Sequence, residues 1–218
     1  MFLNHAVHDG FDSIQCPERK HGPFIPLAFA AMATSRVELA ISVAISFPRS
    51  PMIVANLAWN LHRRSKGRFV VGLGTQMRPH NERRFSVPWV APAARMGEYV
   101  DSLRANFRAW ETGEKLNCQG NYTQFSVMTP EFSPGSHGLP LPPILIAAVA
   151  PLMIRTAARH CDGARLHGSR HGNISNKSCA PRCPMNVSGN FPASSRQITG
   201  EHRLVYWGSG QILCGSED

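Results

Sequence analysis

Apolar and polar positions change period along this chain, and each change marks an element. Val37, Leu39, Ile41, Val43 and Ile45 alternate strictly with Glu38, Ala40, Ser42 and Ala44. A period of two predicts a strand over Val37–Ile45. Its large residues are expected to pack on helices, and its small side to leave room for a flat ligand. Met96, Val100, Leu103, Phe107 and Trp110 recur every three or four residues instead. They form one core-facing stripe on a helix predicted over Ala91–Trp110. Ser50 followed by Pro51 predicts another helix start, because Pro at the first helical position loses no hydrogen bond. That helix is expected to run to about Ser65, to stop at Gly67, and to stack Ile53, Leu57 and Leu61.

The remaining elements are shorter. Phe11–Gln15, Phe69–Leu73 and Ile144–Val149 read as strands, and Pro26–Thr34 and Pro151–His160 as helices. Gly113–Gly135 carries turn signals and reads as an insertion or hairpin. Strands alternating with helices imply an α/β fold, a parallel sheet with helices outside.

One stretch is unusually informative: Arg68–Trp89, RFVVGLGTQMRPHNERRFSVPW. A buried strand breaks at Gly72 and Gly74, then delivers a polar loop rich in Arg, His and Asn. Barrels and open α/β sheets build sites in this way, at the C-terminal ends of their strands.

The wording of that block, GLGTQ…HNERRF…PW…RMGEYV, closely resembles the luciferase-like oxidoreductases, in the branch that uses the deazaflavin coenzyme F-420. So do PFIPLAFAAMATSRVELAISVAISFPRSPM, MTPEFSPG, PPILIAAVAP and CDGARLHG. The likeness runs from about Gly10 to Gly168. It implies a (β/α)8 TIM barrel, of which this chain would hold about strands two to six, with Ala164–His167 as the last of them. Residues 1–168 are then an incomplete barrel domain, apparently truncated at both ends. Residues 169–218 match nothing in the family and are rich in Ser, Asn, Gly, Pro and Cys. They are expected to be an irregular, disordered or frame-shifted tail, with Leu204–Trp207 its one strand-like piece.

The strand-end rule selects the candidate site residues. Glu18, His80 and His167 are the candidate proton-transfer groups, His being suited to that role near neutral pH. Each also reads as a polar loop or packing residue. Ser46 and Phe47 follow the Val37 strand, near where the family often has a non-proline cis peptide. Gly74, Thr75 and Gln76 end the next strand, and the last two can bond a ring edge or phosphate, or cap their own loop. Ala147, Ala148, Val149 and Ala150 let a ligand approach the backbone where a helix begins, and free N–H groups there attract anions. The resemblance gives that segment the cofactor's phosphate end, although the family commonly has Gly at Ala150. Gly168 completes the cofactor set. Arg83 and Arg84 are available to phosphate or carboxylate, or pair with Glu82 or Glu98. Trp89 and Trp110 read as core.

The resemblance implies hydride transfer between coenzyme F-420 and a small organic substrate. The alternatives are an FMN-dependent monooxygenase using O2, and an inactive truncated fragment. A homodimer is left open.

Composition adds limits. The net charge is +9 with 218 residues, and the basic residues are scattered. Nucleic acid therefore ranks last among partners. Six cysteines lack the paired spacing of a zinc site and are expected as free thiols, with no metal bound. No apolar run approaches the ~20 residues of a membrane helix, and the N-terminus lacks a signal layout, so a cytoplasmic protein is expected.

Overall fold

Every pairing in the main sheet is parallel, as the alternation of strands and helices requires. The computed structural model describes residues 12–165 and two short strands at 203–205 and 212–213. Its strands are β1 (Ser13–Cys16), β2 (Glu38–Ile41), β3 (Ala44–Ile45), β4 (Phe69–Gly74), β5 (Cys118–Gln119), β6 (Gln124–Phe125), β7 (Ile144–Ala147), β8 (Gly163–Arg165), β9 (Arg203–Val205) and β10 (Ile212–Leu213). The helices are α1 (Phe24–Ala33), α2 (Pro51–Arg64), α3 (Pro92–Thr112) and α4 (Pro151–His160). The strand order is β10-β1-β2-β4-β7-β8-β9, with β3 beside β4. Leaving aside the separate β5–β6 pair, the main-sheet strands from β1 to β9 thus follow one another in space as in sequence, the order of a barrel wall. No pairing joins β9 to β10 among the described residues. The expected hairpin is β5–β6, antiparallel.

The two faces of the sheet bury different residues. Leu39, Ile41, Val71, Leu73 and Ile144 join the helices in the main core. Ala40, Val70 and Leu145 form a separate small cluster on the other, inner face. The predicted helix stripe is buried in full, with Phe107 inaccessible and stacked on Trp59 at 5.7 Å. Truncating such an aromatic to Ala costs about 3–5 kcal/mol. On α2 the buried side is Val54, Ala55, Ala58 and Trp59, whereas Ile53 is 56% exposed. Of the expected Ile53–Leu57–Leu61 stack, Leu61 is buried in the core and Leu57 packs against it, and only Ile53 turns outward.

The alternation over Val37–Ile45 also breaks, after Ile41. Ala40 lies opposite Val70, but Ala44 lies opposite Leu73, so one residue is extra on the β2–β3 side. A bulge of this kind reverses the faces that follow it, and Ala44 joins the helix-side core. The Ser42–Val43 peptide within the bulge is cis. It lies four residues before Ser46–Phe47, near which the resemblance puts it. The bulge presses the Ile41 carbonyl against β4 at Gly72, where an added Cβ would sit 1.8 Å from that oxygen. Only glycine fits there.

The opposite end of the sheet is tied by polar anchors. Arg68, just before β4, donates to the carbonyls of Thr34, Val37 and Ser65 at 2.6–2.8 Å, and also to Thr34 Oγ1. It thereby caps the ends of α1 and α2 together. His62 is 1% exposed, with Nδ1 3.0 Å from Phe69 O and Nε2 2.8 Å from Pro140 O. His137 stacks on Trp59 at 3.9 Å, and Trp59 Nε1 donates to Gly135 O. The segment leading into β7 is thus strapped onto α2.

Candidate active site at the C-terminal ends of the strands

The strand ends β1, β3, β4, β7 and β8 converge on one side of the sheet. Glu18, two residues past β1, is held there by three short bonds. Its Oε2 accepts from the Ile45 N–H and from Arg49, both at 2.8 Å, and its Oε1 accepts from Arg49 at 2.7 Å. Arg49 also donates to Ile45 O, and Tyr99 Oη donates to Arg49 O. Burial pushes the Tyr99 phenol well above its ordinary range. Glu18 therefore clamps the end of the β2–β3 wall instead of facing open space; its side chain is 8% exposed.

Two hydroxyls beside this clamp are unspent. Ser42 Oγ and Ser46 Oγ are buried without a hydrogen-bond partner among the described residues. Ser46 is fixed through its backbone, donating N–H to Gly74 O. Phe47 is 5% exposed, edge-on to Trp89 at 6.0 Å and under the Arg95 guanidinium at 4.3 Å. Trp89 is only half-buried, whereas Trp110 is core, 2% exposed.

Gly74 ends β4 facing Val43 and Ala147; an added Cβ would lie 2.6 Å from Val43 Cγ2 and 3.7 Å from Ala147 Cβ. Thr75 and Gln76 spend hydrogen bonds within their loop, Thr75 Oγ1 donating to Gln76 O and Gln76 Oε1 accepting from Met77 N–H. Gln76 has φ 58°, a left-handed conformation uncommon for a side-chain-bearing residue. Asn81, inaccessible to solvent, ties the loop by donating to Thr75 O and Met77 O. His80 opens the π-helical turn His80–Arg84 and is partly exposed. Arg83 and Arg84 form no ion pair among the described residues. Glu82 pairs with Arg78 instead, and Glu98 accepts the Asn121–Thr123 N–H groups.

After β7, Ala148 is inaccessible, and Val149 and Ala150 are exposed. Ala150 has φ −102° and ψ 152°, which any residue adopts, so its Cβ carries no backbone strain. Pro151 starts α4, and the Leu152 and Met153 N–H groups lack partners within the helix. His167 and Gly168 lie outside the described residues, as do Cys179, Cys183 and Cys214. Cys118 and Cys161 are free thiols, and Cys16 Sγ lies 3.9 Å from Pro17 O. No cluster able to hold a metal occurs among the described residues, and no helix there is long and apolar enough to cross a membrane.

Sequence reasoning missed Arg49, Ser42 and Arg165, whereas the strand-end rule picks out Asn81 beside His80. Arg165 is the least expected: it is 4% exposed on the inner face and donates to Gln15 Oε1 at 2.6 Å. Its only signal was a charged residue at a strand position.

Comparison with known proteins adds the following. The model described as luciferase-like monooxygenase matches residues 4–177. An uncharacterised protein of Mycobacterium tuberculosis is 48% identical over 155 residues, 71% of this chain and 46% of that protein. A phthiodiolone/phenolphthiodiolone dimycocerosates ketoreductase of Mycobacterium sp. (strain JLS) is 33% identical over 58% of this chain and 32% of its own length. This chain thus spans about half or less of the curated relatives it matches. An F-420-dependent secondary alcohol dehydrogenase, solved with an F-420–acetone adduct, superposes with a TM-score of 0.64 at 20% identity, over 75% of this chain and 52% of that one. A monooxygenase of Streptomyces bottropensis gives 0.62 at 27% identity, over 75% and 52%.

Proposed function

The chain belongs to the luciferase-like monooxygenase family, and from that premise we propose that its strand-end mouth binds a deazaflavin, coenzyme F-420, and supports hydride transfer with a small organic substrate. The observation that carries this reading is the pair of buried hydroxyls, Ser42 and Ser46, that have no hydrogen-bond partner among the described residues. Buried polar atoms without partners are uncommon in a finished protein, and these two stand at the strand ends, beside Glu18 and Gly74. A hydrogen-bonding ring would give them partners.

When bound, the deazaflavin supplies the hydride chemistry in its own ring. The chain supplies position. Ser46, Phe47, Gly74, Thr75 and Gln76 would hold the ring end. Ala147, Ala148, Val149 and Ala150, with the free N–H groups of α4, would hold the phosphate end. Glu18 and Arg49 keep the β3 wall in place, and His80 is assigned the substrate proton. His167 and Gly168 keep the roles that the resemblance implies.

The carbonyl-reducing or alcohol-oxidising chemistry named for two of the similar proteins supports this reading. An FMN-dependent monooxygenase is the second reading, favoured by the monooxygenase at 27% identity. A cytoplasmic location belongs to the same proposal. So does a homodimer, supported by Ile25, Phe29 and Met32, which stand 65–82% exposed along α1.

A fluorescence titration of the purified chain with coenzyme F-420, and separately with FMN, tests the proposal. Saturable binding of F-420 is expected. A folded, soluble chain that binds neither would overturn it.

A further inference from the structure

Arg165 presents a buried cation on the sheet, beside the equally buried Gln15. Its neighbour Ala164 packs into the helix-side core, so alternation turns Arg165 to the inner face. The guanidinium reaches Gln15 Oε1 at 2.6 Å, and its Nε lies 3.3 Å from where a Gly72 Cβ would be. Nε has no hydrogen-bond partner among the described residues. Burial lowers the pKa to about 10, opposed by the field of Glu38, so the group remains charged at neutral pH. A buried cation whose closest bond is to a neutral amide calls for an electron-rich partner. Gly72 lies one inward position below Gly74, and Gly74 faces Ala147, the residue paired with Arg165. The cation therefore underlies the mouth.

We propose that Arg165 supplies the charge that compensates the pyrimidinedione edge of a bound deazaflavin or flavin ring when that ring takes up a hydride. Oxidation of an alcohol to a carbonyl delivers two electrons and one proton to the ring as hydride, and the hydroxyl proton passes to His80, the group assigned the substrate proton. A neutral ring then carries one negative charge, which a fixed cation favours. The inference rests on the functional reading above and adds a residue and a redox role to it.

The test compares oxidised and reduced FMN and F-420 binding to the full-length chain and to Arg165→Gln and Arg165→Lys. The expected result is that Arg165→Gln loses about tenfold more affinity for the reduced than for the oxidised cofactor, as for loss of one charge-assisted hydrogen bond, and that Arg165→Lys restores part of it. Equal losses for both redox forms would overturn the inference while leaving the functional reading intact. Failure of the unmodified chain to bind either cofactor would overturn both. If Arg165→Gln does not fold, the unmodified chain decides: its bound reduced FMN should hold the anionic absorbance spectrum to a lower pH than free reduced FMN. No such downward displacement would overturn the inference.

Discussion

The Glu18 carboxylate and the Arg49 guanidinium meet in a two-pronged pair, at 2.7 and 2.8 Å. Residues 31 positions apart are thereby locked across the mouth, and the Ile45 N–H is drawn into the same carboxylate. The pair is partly screened, with side chains 8% and 25% exposed. Glu18→Gln should lower stability by roughly 1.5–3 kcal/mol, the range for hydrogen bonds to charged groups. Urea unfolding measures it. A midpoint equal to that of the unmodified protein would remove Glu18 from its clamping role.

Ser46→Ala and Ser42→Ala should separate binding from folding. Each removes a buried hydroxyl that has no partner among the described residues, so stability should stay level or rise slightly. Cofactor affinity should fall roughly two- to tenfold, the worth of one neutral hydrogen bond. Loss of stability without loss of affinity would mean that these hydroxyls serve the fold.

Gly72→Ala should be worse than Gly74→Ala. The first puts a carbon 1.8 Å from the Ile41 carbonyl oxygen, and the second puts one 2.6 Å from a Val43 methyl. Backbone cannot step aside as a side chain can. Ordinary overpacking costs roughly 1–3 kcal/mol; Gly74→Ala should fall in that range and Gly72→Ala above it. Soluble yield and thermal midpoint rank the two variants, and the reverse order would contradict the bulge geometry.

Acid should loosen the strap over α2. Burial is the largest influence on both His62 and His137 and lowers each below 6.5. Bonds to the Phe69 and Pro140 carbonyls pull His62 the other way but do not prevail. Glu111 pulls His137 upward, while His62 and Arg63 add to its lowering. The unfolded chain therefore binds more protons than the folded one between the depressed values and 6.5. Stability from these groups is complete above about pH 6.5 and is lost as pH falls through the depressed values. Urea midpoints at several pH values between 7.5 and 5 should fall, and His137→Gln should flatten the slope. A midpoint that climbs on acidification would show the sign to be wrong.

Arg68→Met should cost about 3 kcal/mol, because it strands several carbonyls at the ends of α1 and α2 together. A thermal midpoint unchanged from that of the unmodified protein would show that water satisfies those carbonyls.

Periodicity made the α3 stripe legible, because five residues on one face bury together whatever lies around them. The pairing Ser50-Pro51 placed the start of α2 for the same local reason. The bulge after Ile41 was not legible. Its alternation is perfect in the sequence, and the extra residue shows only when Ala44 is found opposite Leu73. Glu18 was visible as a candidate, but its partner was not, since Arg49 arrives from a distant turn. Arg165 was overlooked because a charged residue ending a short strand reads as exposed until the opposite strands are in place.

The anchors Arg68 and His62 sit at one end of the sheet, and Gln76 and Val149 sit at the other. Substitutions that alter what enters the mouth therefore need not disturb what keeps the strands together. Such a separation lets a lineage try new substrates at the loop tips while its folding margin is guarded elsewhere. The same scaffold can then diversify in chemistry faster than it diverges in shape.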